Sequence, residues 1–263
     1  MSKRKALITL FSVIILLSGC LVNFIQGKYV VPIAMYHSVN PAALPENRIA
    51  VSAQTFERQM HFLKRHHYNV LPLESIAKLI KERKKIPPKT IAITFDDGYK
   101  DNYIYAFPVL KKYNLPATIF IIVNEVDRPQ NDRLNWKEIK EMQDSGPVTF
   151  GSHTLSHPLL TEIKSEEDLK NEIFGSKKIL EEKLGCKVNA FSYPAGRFND
   201  KIKQLVKDAG YEFAVATNPG KKLADDDIFA LKRLRISENA NNLFVFWVET
   251  SGYYNFMREH RHK

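Results

Sequence analysis

Apolar runs of strand length alternate with amphipathic stretches along most of the chain. Runs at residues 30–35, 68–73, 90–95, 117–123, 148–150 and 188–193 read as strands, and further ones follow near 213–216 and 231–236. Between them, apolar residues recur every three or four positions and predict helices over 74–83, 103–113, 136–145, 165–184 and 199–209. Ser52 is placed to cap another helix, with Phe56, Met60 and Leu63 on one face. Pro87-Pro88 breaks the chain before the 90–95 strand, and Gly185 ends the longest helix. Such alternation implies a mostly parallel sheet covered by helices. With six to eight strands, the expectation is α/β: a closed, irregular (β/α) barrel rather than an open sheet. A barrel carries its chemistry at the C-terminal ends of its strands.

The first residues do not fit that pattern. Lys3, Arg4 and Lys5 precede an apolar run at 6–17, shorter than the ~20 residues a spanning helix needs. Leu17-Ser18-Gly19-Cys20 then resembles a bacterial lipobox, in which the cysteine is acylated after cleavage. An uncleaved anchor with an incidental cysteine is the other reading. Either one puts the bulk of the protein outside the cytoplasm, tethered to a membrane. The expected organisation is a signal peptide at 1–19, lipidated Cys20 with a linker to 28, one domain at 29–250 and a basic tail at 251–263. Cys186 then has no partner, which excludes a disulfide framework.

Composition changes this picture little. The chain is 44% hydrophobic and 26% charged, as in ordinary globular domains. Taking Lys3, Arg4 and Lys5 from the net charge of +10 leaves +7. In a secreted protein that charge suits anionic headgroups or wall polymers, or simple solubility, and not nucleic acid.

Three motifs close strands. In Thr94-Phe95-Asp96-Asp97-Gly98, neighbouring carboxylates would point to opposite faces of a regular strand. They can serve one site only where the strand breaks, and Gly98 supplies a break; a solvated turn is the plainer reading. His153 and His157, in Ser152-His153-Thr154-Leu155-Ser156-His157-Pro158, can converge on one metal if the segment turns helically. Surface histidines are the alternative, as for His66-His67, His260 and His262. Phe191-Ser192-Tyr193-Pro194-Ala195-Gly196 is the third, with a Pro-Gly turn as its bland reading.

In this order, over residues 31–246, the motifs resemble the NodB-homology polysaccharide deacetylases, carbohydrate esterase family 4. The resemblance implies a general base at Asp96 and a divalent metal, usually zinc, on Asp97, His153 and His157. It implies a groove wall from Tyr193, Pro194, Ala195 and Gly196, with a backbone N–H for the oxyanion. The residue types suit amide hydrolysis, since Zn²⁺ lowers the pKa of its water from 15.7 to about 7.

Two features depart from the usual family pattern. The late strand, Leu231-Lys232-Arg233-Leu234-Arg235-Ile236, lacks the expected acid histidine. The first strand ends instead in Ala34-Met35-Tyr36-His37-Ser38-Val39. That arrangement resembles the biofilm poly-β-1,6-N-acetylglucosamine deacetylases of the IcaB and PgaB type and implies His37 as general acid; a structural histidine is the alternative. Ser192 stands where many members have a base-pairing arginine, leaving Arg233 or Arg197 to replace it. Trp136 is either a sugar-stacking or a core residue. The expected reaction removes N-acetyl groups from an extracellular amino-sugar polymer, poly-N-acetylglucosamine first, then peptidoglycan or chitin-like oligomers. An inactive glycan-binding lipoprotein is the rival from another class. A glycosidase using Asp96 and Asp97 would need its carboxylates about 5–9.5 Å apart across a bond, which adjacent residues seldom reach.

Overall fold

The computed structural model describes residues 29–44, 46–217 and 227–254. The proposed signal peptide, Cys20, the linker to residue 28, His260 and His262 lie outside them.

In chain order the elements are β1 (Ile33–Tyr36), the short β2 (Ser38–Val39) and β3 (Ala50–Val51), α1 (Ala53–Arg65), β4 (Asn69–Val70), α2 (Leu73–Lys81), β5 (Thr90–Phe95), α3 (Phe107–Tyr113), β6 (Ala117–Ile121), α4 (Trp136–Asp144), β7 (Val148–Ser152), α5 (Glu166–Lys170), α6 (Ser176–Leu184), β8 (Ala190–Ser192), α7 (Asp200–Asp208), β9 (Phe213–Ala216), β10 (Leu231–Lys232), β11 (Leu234–Arg235) and α8 (Leu243–Glu249). Ser52 caps α1 as expected, accepting the Thr55 N–H at 3.1 Å, and Phe56, Met60 and Leu63 are buried. The long helix predicted over 165–184 contains a π-helical turn, Asn171–Gly175, between α5 and α6.

The strand predicted over 231–236 is interrupted at Arg233. β10 pairs with β9, whereas β11 pairs with β1. The two pieces therefore bridge the first and last strands and close the sheet. Counting them as one interrupted strand, the path holds seven parallel strands, and β4, joined to the edge of β5, makes eight in a nearly closed barrel. Val30 N–H donates to Gly252 O and the Tyr29 and Tyr253 rings meet edge-on, so residues 251–254 pack against the start of the domain.

Strand alternation divides the core in two. Ala34, Ile93, Phe95, Ile119, Phe150, Phe191 and Ala214 join the larger cluster beneath the helices. Ile33, Ala92, Phe120, Ala190, Val215 and Leu231 form a smaller one, which lines the barrel interior and takes in Leu73, Ile76 and Ala77 of α2. Side chains on a strand alternate faces. Stepping by two from these interior positions reaches His37 from Ile33, Asp96 from Ala92, Ser192 from Ala190 and Arg233 from Leu231. His153 joins them, because Val148 and Phe150 of β7 face outward.

Candidate active site

Asp96 prolongs β5, its N–H donating to Tyr36 O at 3.0 Å, so its side chain keeps the interior parity. Asp97 would face outward by the same rule. It does not, because its backbone is left-handed (φ 70°), followed by Gly98 at φ 64°. A Cβ at Gly98 would sit 2.9 Å from the Ile121 side chain, so this turn needs glycine twice over. The break turns the second carboxylate back toward the same mouth as the first.

Asp96 is buried and gripped by Arg233 at both oxygens, Nη1 to Oδ1 at 2.7 Å and Nη2 to Oδ2 at 2.6 Å. The guanidinium also donates to Ser192 Oγ (2.9 Å) and Thr94 Oγ1 (3.3 Å) and lies over the Phe120 ring. Burial pushes the Asp96 carboxyl up, but Arg233, His153 and His37 together hold it well below the usual carboxylate range. Of the two arginines the sequence offered at this position, Arg197 is exposed and lies 3.9 Å from Glu162 instead.

The histidine motif does not turn helically, contrary to the condition attached to it. It is an irregular loop with Thr154 and His157 both left-handed (φ 69° and 61°). Because His153 lies on the barrel-facing strand end and His157 on this loop, a bend replaces the helical turn. His153 Nδ1 lies 2.8 Å from Ser192 O, which fixes Nδ1 as the donor and leaves the Nε2 lone pair free. Nε2 of His153 and Nε2 of His157 lie 3.5 and 3.8 Å from Asp97 Oδ1. All three ligand atoms fall within 4.8 Å of one another. Ligands 2.0–2.1 Å from a tetrahedral zinc are about 3.3 Å apart, so the donor set fits one ion with little adjustment. Burial, then His153, lowers the pKa of His157 and favours its neutral, ligating form.

His37 follows β1, its carbonyl accepting from the buried Asn102 at 2.7 Å. Its Nδ1 is buried without a partner among the described residues. Burial lowers its pKa, while Asp96 and Asp97 pull it up.

The third motif needs correction. The Tyr193 side chain is fully buried, its hydroxyl donating to Phe229 O at 3.0 Å, so it packs the core rather than a groove wall. Pro194 is also buried; Ala195, left-handed at φ 52°, is exposed and Gly196 half-buried. The N–H groups of Tyr193, Gly196 and Arg197 donate to Val215, Tyr193 and Pro194 carbonyls. Proline has no N–H, which leaves that of Ala195, with no acceptor among the described residues. Trp136 opens α4, half-buried against the larger core cluster, with the Lys183 ammonium 5.6 Å from its ring. Sequence reasoning missed Asn102 and Glu172, the latter gripping the histidine loop. Both act on backbone atoms far along the chain, so no local pattern marks them.

Comparison with known proteins agrees with this geometry. Residues 83–214 match the family model described as polysaccharide deacetylase. The chain is 34% identical over 220 residues to the Bacillus subtilis (strain 168) protein YxkH, covering 83% of this chain and 76% of that one. It is 32% identical over 201 residues to the poly-β-1,6-N-acetyl-D-glucosamine N-deacetylase of Staphylococcus epidermidis, covering 73% and 69%. Among solved structures, the Streptococcus pyogenes deacetylase PplD in complex with acetate superposes with a TM-score of 0.72 at 29% identity, over 88% of this chain and 97% of PplD. On the family match, the two relatives above 30% identity and the shared barrel, this chain belongs to the polysaccharide deacetylase family of hydrolases.

Proposed function

We propose that the protein removes N-acetyl groups from an extracellular amino-sugar polymer, with poly-β-1,6-N-acetylglucosamine as the leading substrate. The observation that carries the reading is the convergence of three ligand atoms beside a carboxylate held ionised by arginine. The name of the Staphylococcus epidermidis relative supports the substrate.

Asp97, His153 and His157 would hold one divalent ion, zinc by the nitrogen-rich donor set. When bound, the ion supplies Lewis acidity toward water and the acetyl oxygen. Asp96 takes the proton of the water that adds to the acetyl carbonyl. Ala195 N–H donates to the oxygen that becomes negative, a contact of a type worth about 3–4 kcal/mol in the transition state. His37 gives a proton to the sugar nitrogen as the C–N bond breaks, releasing acetate and the free amine. That role requires the protonated ring, toward which Asp96 and Asp97 pull and burial pushes back. Arg233 keeps Asp96 ionised and fixed. Cys20 would anchor the enzyme to the outer face of a membrane, where such polymers lie.

The test is acetate release by residues 21–263 from a β-1,6-linked N-acetylglucosamine oligomer, as isolated, after chelation and after zinc is restored. Acetate that vanishes with chelator and returns with zinc is expected. Release from peptidoglycan or chitin oligomers alone would reassign the substrate. No release from any of them would leave a glycan-binding protein in an enzyme's shape.

A further inference from the structure

The loop that carries both histidines owes its shape to contacts outside itself. Left-handed angles at Thr154 and His157 are unfavourable for residues with a Cβ and persist only where the surroundings over-determine them. On one side, the carbonyls of Thr154 and Leu155 accept from the Val123 and Asn124 N–H groups at 3.2 and 2.9 Å. On the other, the consecutive N–H groups of Leu155 and Ser156 both donate to one oxygen of Glu172, at 2.9 and 3.0 Å. The Ser156 hydroxyl donates to the other oxygen at 2.5 Å.

Glu172 is in the π-helical turn of the long helix, and that turn presents a fitted face to the loop. Three residues on, a Cβ at Gly175 would come 3.1 Å from Leu155 Cδ1. One residue further, Ser176 Oγ accepts from Ser152 Oγ at 2.8 Å, just before the first histidine. Charge-assisted hydrogen bonds to two successive amides fix a backbone more firmly than neutral ones. Glu172 itself is not one of the three ligands.

We propose that Glu172 is a positioning residue for the metal site: it holds the loop so that His153 and His157 already converge on Asp97 in the metal-free protein. The proposal rests on the reading of those three residues as metal ligands. Ordering a loop before binding removes that cost from the binding step, and groups that orient metal ligands typically contribute about 10–100-fold to metal affinity.

The experiment measures zinc dissociation constants by competition with a chromophoric chelator, on the full-length chain in detergent, for wild type, Glu172→Ala, Glu172→Gln and His153→Ala. Glu172→Ala should bind zinc about 10–100-fold more weakly. Glu172→Gln should fall between wild type and Glu172→Ala, because its amide oxygen can accept both N–H groups and its NH₂ can donate to the Ser156 hydroxyl, but without the charge. His153→Ala should lose the site. Equal binding by wild type and His153→Ala would defeat the metal reading and take this proposal with it. Loss in His153→Ala with an unchanged constant in Glu172→Ala would overturn the brace alone. So would a melting temperature lowered equally with and without zinc, the mark of a merely structural role. If Glu172→Ala does not fold, hydrogen exchange on the metal-free wild type decides. The Leu155 and Ser156 amides should be protected, and exchange at open-loop rates until zinc is added would refute the proposal.

Discussion

Asp96 and Asp97 are neighbours in the chain and live in two differently built halves of one site. The Asp96 half is barrel interior: extended backbone, full burial, both oxygens held by an arginine 137 positions away. The Asp97 half is loop: left-handed backbone, partial exposure, and an oxygen facing two imidazole nitrogens 3.5 and 3.8 Å off. One half is electrostatically complete. The other presents lone pairs that no arginine or lysine among the described residues neutralises, which is what a cation site requires. The difference teaches that the surroundings of each carboxylate are assigned here by backbone conformation, since a single change of φ separates the one fixed by arginine from the one facing the imidazoles.

The largest effect should come from removing the arginine. Arg233→Met leaves a buried carboxylate unpaired, and breaking such a pair typically costs about 3–5 kcal/mol. In the wild type, Asp96 has a folded pKa below its unfolded one. Its contribution is present above about pH 4 and lost as pH falls through the folded value. In the variant burial, the largest influence, is opposed only by His153 and His37 and raises the folded pKa, so stability declines as pH rises from about 4 toward neutrality. Urea unfolding of both proteins at pH 5 and pH 8 should show the gap widening with pH; a constant gap would mean that Arg233 acts by packing alone.

A paired substitution should separate the halves next. Asp96→Asn should cut turnover by about 10²–10⁴-fold while zinc content is kept. Asp97→Asn should lose zinc first and recover some activity as zinc is raised. Metal analysis beside acetate release reads both, and identical behaviour of the two variants would erase the division of labour.

The smallest effect sharpens the comparison from outside the site. Glu249 of α8 is a half-buried carboxyl without an arginine: its buried Oε2 has no partner among the described residues, and desolvation pushes its pKa up to about 7. Because its folded value lies above the unfolded one, the associated stability is present below about pH 4 and lost as pH rises toward 7. Glu249→Gln should therefore match the wild type at pH 4–5 and exceed it above pH 7, by on the order of 1–3 kcal/mol. No gain in melts at pH 8 would show that the carboxylate finds water or a cation there.

Much of this was legible beforehand. The alternating pattern gave β5 and β9 their observed bounds, and the parity of each strand already aims His37, Asp96, Ser192 and Arg233 inward. The family resemblance of the motifs implied Asp97, His153 and His157 as a set. What misled was local: a spacing of four suggested a helical turn for the histidines, where a bent loop brings them together. The family resemblance implied Tyr193 in the groove wall, yet its ring joins the larger core cluster beneath the helices, as the alternation from Phe191 through Ser192 carries it outward.

By itself, the sequence determined the strand–helix alternation, the face each strand residue takes and the chemical types gathered at the strand ends, because these follow from short-range periodicity. Only the tertiary structure decided that the last strand splits at Arg233 to close the barrel, and that this arginine rather than Arg197 meets Asp96. It also decided that Glu172 holds the loop between the histidines. These contacts join residues far apart in the chain, and no local preference encodes a pairing that exists only once the barrel is closed.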